Sequence, residues 1–137
     1  MIEYKYAIRS LKNKSIQQIY YLKGGDQFLQ RFFIDNLSKV IFNNDTIDKT
    51  LLIPNELSGK EIMDKILSID LFNQSKLFII RDPQQLKGKV SKEIVEFCLR
   101  PVENHYLVLI NDNFMDNSLF SKSINKIVEP INVSTPL

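Results

Sequence analysis

Hydrophobic residues along this chain follow two alternating spacings, one typical of helices and one typical of strands. The clearest helical repeat lies between Asp26, which can cap the first turn, and Phe42. Its apolar positions recur at intervals that place them on one side of a helix: Phe28, Leu29, Phe32, Phe33, Leu37, Val40 and Ile41. Shorter helices are predicted over 91–99 and 118–126.

Another helix is predicted to begin at Ser58, because Ser58 and Glu61 have the spacing of a capping box. Its apolar stripe consists of Ile62, Met63, Ile66, Leu67 and Ile69. The segment 2–12 can form an additional helix.

Short apolar runs between these helices predict strands at 18–23, 47–53, 77–80, 106–110 and 128–133. The runs at 77–80 and 106–110 are continuous, as in strands covered on both faces. Pro130 cannot donate a hydrogen bond to a ladder, so the last strand should lie at a sheet edge. Strands alternating with helices predict an α/β fold of three layers, with helices on both faces of a parallel sheet and the 2–12 helix packed on it.

The composition is that of one folded domain, since 137 residues with 44% hydrophobic and 25% charged side chains can bury a core. The 18 basic and 16 acidic residues are too evenly balanced to indicate nucleic-acid binding by themselves. No apolar run approaches the ~18 residues of a membrane span, and the N-terminus lacks a signal-peptide pattern. We therefore expect a cytoplasmic protein without a membrane partner.

The chain offers few residues for metal or nucleophilic chemistry. Its one cysteine, Cys98, excludes an internal disulfide and is predicted to be buried on a helix, and its one histidine, His105, is predicted to lie in a loop. Asp82 and Asp112 each follow a strand and could hold a metal ion, but roles in turns are favoured. No metal site is predicted.

The turn after the first strand is the place where a phosphate-binding loop would lie. Such a loop needs the pattern G-x-x-x-x-G-K-[ST], whereas Gly24 and Gly25 are followed by Asp26 without a Lys-Ser or Lys-Thr pair. The Asp26 carboxylate would also repel a phosphate from the helix N-terminus. A plain strand-to-helix turn is favoured, and no cofactor is predicted.

Leu71 and Phe72 do not fit the helical pattern that precedes them. At ~100° per residue, a helix continuing from Ser58 would place each of them about 130° from its apolar stripe, on opposite sides. The connection could bend and tuck both side chains under the sheet edge. Alternatively, the pair forms an exposed apolar knob, which usually marks a protein interface. The residues alone leave both interpretations open.

Three stretches, in order, resemble the N-terminal domain of the delta subunit of the bacterial DNA polymerase III clamp loader. Residues 19–29 resemble its opening strand, Gly–acid turn and helix, and residues 70–82 its Leu-Phe knob running into the third strand. Residues 106–110 and 133–136 resemble its last two strands and the exit from the domain. Each motif alone is weak, but their order and spacing are specific together and span nearly the whole chain.

This resemblance implies a RecA/AAA+-like, P-loop NTPase-related domain without a functional phosphate-binding loop. Such a module is not an enzyme but belongs to an accessory subunit of the polymerase holoenzyme. In the family, the knob matching Leu71 and Phe72 inserts into a pocket on the sliding clamp, the beta subunit, and the position matching Ile69 also touches the clamp. Binding there helps open the ring for loading onto primed DNA.

The resemblance also implies that residues 1–137 are one clamp-binding domain of a longer subunit. Its later helical and collar domains, absent from this chain, would contact the other loader subunits, and contact with DNA would be indirect. Two alternatives come from the residues themselves: a degenerate P-loop ATPase or kinase, and a doubly wound signalling domain of the response-regulator type. The lack of a well-placed Lys and Thr argues against the signalling domain.

Overall fold

The computed structural model describes residues 1–135, which fold into five strands and five α-helices. Pro136, part of the closing motif, lies outside the described residues. The strands are β1 (Ile19–Lys23), β2 (Lys49–Leu52), β3 (Lys76–Arg81), β4 (His105–Asn111) and β5 (Ile131–Asn132). The helices are α1 (Tyr4–Lys12), α2 (Gln27–Phe42), α3 (Gly59–Leu67), α4 (Lys89–Leu99) and α5 (Leu119–Asn125), and a short 3-10 helix (Pro83–Gln85) follows β3.

The five strands of the described chain form one sheet in the order β2-β3-β4-β1-β5, with every neighbouring pair parallel. Strand β5 is at the edge, as Pro130 predicts. The strand is shorter than the predicted 128–133, because the ladder begins only after the proline. The Pro130 carbonyl instead accepts the Ile2 N–H at 2.8 Å, which ties the N-terminus to this edge.

Two apolar cores lie on opposite faces of the sheet, which confirms the predicted three-layer α/β architecture. Helices α1 and α2 cover one face, and α3, α4 and α5 cover the other. The first core centres on Leu11, Leu22, Phe33, Leu37, Leu77 and Val108. The second centres on Tyr21, Leu52, Ile62, Ile66, Ile80, Ile94 and Leu107. Within residues 1–135, no helix has both the length and the apolar character needed to cross a membrane.

Helix α3 ends earlier than its predicted apolar stripe implies. Ser58 caps it with the expected capping box, but the helix stops at Leu67, where Ser68 turns to an extended conformation. The Ser68 hydroxyl donates to the carbonyl of Lys65 at 2.9 Å, a local bond that competes with helix continuation. The assignment of Ile69 to the core-facing stripe was therefore wrong, since Ile69 lies beyond the helix and is exposed.

His105 was predicted to lie in a loop, and this was wrong, because it is the buried first residue of β4. Its Nδ1 donates to the carbonyl oxygen of Ile66 at 2.7 Å, and its ring packs against Phe78. A histidine can be buried in this way when its N–H finds an acceptor. Cys98 is buried on α4 as predicted, and burial raises the pKa of its thiol to about 12.

Candidate partner-binding site

The connection between α3 and β3 carries three highly exposed large hydrophobic residues within four positions, and Leu71 is the most exposed large hydrophobic residue of the described chain. Leu71 is 98% exposed, Phe72 81% and Ile69 75%. We call these three side chains the knob. The tucked-under interpretation of Leu71 and Phe72 is wrong, because neither side chain packs under the sheet edge.

Asp70 holds the backbone of the knob in a tight turn. Its Oδ1 accepts the N–H groups of Phe72 at 3.0 Å and Gln74 at 3.3 Å, and its Oδ2 lies 3.7 Å from the Lys76 Nζ. Asn73 completes the turn in the left-handed region, with φ of 51°, where asparagine is better tolerated than most residues. The apolar tip is therefore fixed by polar bonds from its own flanks before any partner arrives.

The electrostatics favour the charged form of Asp70. Desolvation raises the pKa of this carboxyl, but the N–H groups of Gln74 and Phe72 and the ammonium of Lys76 together lower it more. The net result is a pKa below its ordinary value. At neutral pH the side chain is thus in the ionised form that accepts both amides.

The turn before β4 braces the knob from the neighbouring strand. Asn104 donates from Nδ2 to the Asn73 carbonyl at 3.0 Å, and its own carbonyl accepts the Lys76 N–H at 2.9 Å. The bond from His105 to the Ile66 carbonyl fixes the end of α3 nearby. The acid and the two amides around the Leu-Phe pair were visible in the sequence, but the contact of Asn104, 31 residues away, was not.

The turn between β1 and α2 lies at the carboxyl ends of the strands, opposite the knob. Two of its backbone N–H groups form hydrogen bonds within the protein. The Gly24 N–H donates to the Asn111 carbonyl at 2.9 Å and the Asp26 N–H to the Val133 carbonyl at 3.0 Å. Asp26 caps α2 as predicted, since its Oδ1 accepts the Leu29 N–H at 3.1 Å. These two backbone donors are not available to a phosphate.

A polar cluster lies beside this turn. The Nε2 of Gln30, a buried side chain, donates to the Gly24 carbonyl at 2.7 Å and to Asp112 Oδ1 at 2.9 Å. Arg81 forms an ion pair with Asp112 at 3.0 Å and also donates to Gln30 Oε1 at 3.2 Å. No local sequence pattern indicates this cluster, because its members come from α2, β3 and the end of β4.

Of the two aspartates that follow β3 and β4, Asp82 has the predicted role in a turn, whereas the Asp112 carboxylate contacts residues distant in the sequence. Asp82 turns the chain with a left-handed φ of 54°, and its Oδ1 accepts the Asp112 N–H at 3.3 Å. The Asp112 carboxylate is engaged by Arg81 and Gln30. Among residues 1–135, no group of three or more His, Cys, Asp or Glu side chains is placed to hold a metal ion.

Comparison with solved structures gives a likeness at the level of the fold. A DNA clamp loader delta protein of Bacillus subtilis matches 97% of this chain at 13% identity and a TM-score of 0.80. A DNA polymerase III gamma subunit-related protein of Thermotoga maritima matches 97% at 15% identity and a TM-score of 0.64. This chain spans only 43% and 46% of those two proteins. No protein-family model and no curated protein matches the sequence. The chain therefore has a clamp-loader-like fold.

Proposed function

We propose that this chain is a non-catalytic module of a clamp-loader delta subunit that binds the sliding clamp through Leu71, Phe72 and Ile69. Binding helps open the ring for loading onto primed DNA during replication. The observation that carries the proposal is the knob itself, with Leu71 98% exposed at the tip of an anchored turn. The clamp-loader-like fold supports the same assignment.

Exposure of the knob is costly in water, and this favours a role in binding. Large apolar side chains clustered on a surface usually mark a protein interface. The polar anchors of Asp70 hold the tip in place and so reduce the entropy lost when a pocket receives it. A partner with a preformed apolar pocket matches this geometry.

Leu71 and Phe72 alone are too small a contact for a tight complex. Full burial of a leucine and a phenylalanine contributes about 1.5–3 kcal/mol each, or roughly 3–6 kcal/mol together. A micromolar complex needs about 8 kcal/mol. Ile69 and the surface around the knob must therefore supply the remainder.

The bonding around the turn between β1 and α2 favours an accessory role over that of an ATPase or kinase. The Gly24 and Asp26 N–H groups of the turn are used within the fold, and Gln30, Arg81 and Asp112 bond to one another beside it. The ion pair between Asp112 and Arg81 also argues against a phosphate-accepting aspartate of the signalling type. We therefore assign no cofactor and no activity to this chain.

The proposal has consequences for the longer protein. Residues 1–137 correspond to its clamp-binding domain, and other parts of the subunit contact the remaining loader subunits. The domain contacts DNA only indirectly and acts in the cytoplasm. The limited share of the two solved structures that it spans is consistent with this division.

The test is a binding measurement between the purified chain and the sliding clamp of the same organism. The double variant L71A/F72A should bind at least about tenfold more weakly, because each 1.4 kcal/mol lost is a factor of ten. M115A/L119A is a matched control, since Met115 is 80% and Leu119 82% exposed outside the knob. Equal affinity of the knob variant and the control, with circular dichroism showing both folded, would refute the proposal.

A further inference from the structure

A groove of about 330 Å³ lies between α3 and α4, next to the end of α3 from which the knob emerges. Its lining consists of Met63, Leu67, Glu93, Glu96, Phe97 and Arg100. The buried side chains of Met63 and Phe97 form an apolar floor. Leu67, which is exposed, lines the groove two residues before Ile69 of the knob. Groove and knob are thus adjacent along the chain.

The charges of the groove are not balanced. Arg100 forms an ion pair with Glu96 one helical turn away. Glu93, which is half-buried on α4, has no ion pair or side-chain hydrogen bond within residues 1–135. The groove therefore combines an apolar floor with one carboxylate that lacks a counter-ion.

We infer that the groove receives a lysine or arginine side chain of the partner that binds the knob, with its cationic head at Glu93. This inference rests on the proposed function and deepens it. Lysine and arginine have an apolar stem and a charged head, so the stem can lie on Met63 and Phe97 while the head meets the carboxylate. An apolar side chain would desolvate Glu93 without compensation, and an acidic one would be repelled.

The groove and the knob can contact one partner at the same time because both lie at the amino ends of the strands. Helices α3 and α4 both end there, before β3 and β4 begin. The hydrogen bonds from Asn104 to Asn73 and from His105 to Ile66 join the two connections into one surface. A contact in the groove would supply part of the affinity that Leu71 and Phe72 alone lack.

A protein partner explains the groove better than two other occupants. The phosphates of DNA would be repelled by Glu93, and the apolar floor has no role in contacts to a phosphate backbone. A second copy of this chain would make the groove a self-association surface, which sedimentation can detect. The inference commits to the sliding clamp.

The test compares charge variants for binding to the immobilised clamp at low and high salt. Glu93→Lys should weaken binding about tenfold at low salt, because a like charge would face the incoming cation. Glu93→Gln should weaken it about threefold, the size expected for the loss of one partly exposed ion pair. Both effects should shrink at high salt. Glu56→Lys, the same charge reversal at an exposed residue between β2 and α3, should change affinity less than twofold.

The outcomes separate this inference from the proposed function. Suppose that Glu93→Lys binds the clamp as tightly as the wild type and that L71A/F72A binds more weakly. This result would overturn the groove contact and support the contact through the knob. Glu93→Gln keeps the test valid should the lysine variant misfold. Absence of clamp binding by the wild-type chain would overturn both proposals. Self-association of the wild-type chain that Glu93→Lys abolishes would assign the groove to a second copy instead.

Discussion

The carboxylate of Asp70 accepts the backbone N–H of Phe72 at 3.0 Å, so an anchored polar residue immediately precedes the highly exposed side chains of Leu71 and Phe72. A loose loop with the same side chains would collapse onto the surface or lose more entropy on binding. The bond keeps the tip of the knob projecting from the fold. Asp70 is thus a positioning residue for the proposed contact.

Asp70→Ala should weaken clamp binding about three- to tenfold while leaving the free energy of unfolding nearly unchanged. The reason is that the turn would become mobile, and ordering it again on binding costs conformational entropy. Asp70→Asn should recover part of the affinity, because its amide oxygen can still accept an N–H. Calorimetric titration measures the affinity, and hydrogen exchange at the Phe72 and Gln74 amides reports the order of the turn. Full affinity in the alanine variant would contradict the positioning role.

The order of the knob turn should depend on pH only in the acid range. The pKa of Asp70 is lower in the folded chain than in the unfolded one, so its ionised form favours the folded turn. That contribution is fully present above the unfolded pKa of about 3.9 and is lost as the pH falls through the lower folded value. Amide chemical shifts of Phe72 and Gln74 should therefore stay constant from pH 7 to about 5 and change below about 4. In Asp70→Asn the acid change at these two amides should disappear.

Gly24→Ala should disrupt the fold. Gly24 has φ of 135°, and a Cβ there would lie 2.5 Å from the Ser134 nitrogen and 2.6 Å from the Val133 carbonyl carbon, both backbone atoms. We expect the free energy of unfolding to fall by about 3 kcal/mol or more. Gly88→Ala is the matched control, since Gly88 also has a positive φ, of 70°, but nothing within 4 Å of the added Cβ. Gly88→Ala should lower the free energy of unfolding only by the backbone strain of a positive φ, about 1–2 kcal/mol. Thermal melts measure both, and similar melting temperatures would contradict the clash.

Gln30→Ala should lower the free energy of unfolding by about 1–3 kcal/mol, because it leaves the buried Gly24 carbonyl without a donor. Gln27→Ala, at an exposed position on the same helix, should change it by less than about 0.5 kcal/mol. Urea denaturation measures both. Clamp affinity should be unaffected by either change, since α2 begins at the carboxyl ends of the strands and the knob lies at their amino ends. A loss of affinity in Gln30→Ala without a loss of stability would place this cluster in the binding surface.

Local signals accounted for most element boundaries. The capping residues Asp26 and Ser58 both make the predicted bonds, and most strand and helix limits differ from the predictions by two residues at most. The early end of α3 came from a local bond of Ser68, whereas the error at His105 came from a tertiary contact that overrides local pattern. His105 is buried only because the Ile66 carbonyl lies within hydrogen-bond distance, and this depends on α3 packing beside β4.

The sequence by itself determined the α/β class, the edge position of β5, the lack of a phosphate-loop pattern after Gly25, and the poor fit of Leu71 and Phe72 to the helical pattern before them. These features depend on residue spacing and on the chemistry of proline, glycine and aspartate, which act over a few residues. Only the tertiary structure decided that the pair projects into solvent, that Asn104 braces it, and that Glu93 faces an apolar groove beside it. Those facts depend on where separate helices and strands meet. Their relative positions are set by the burial of the two cores, to which residues from the whole described chain contribute.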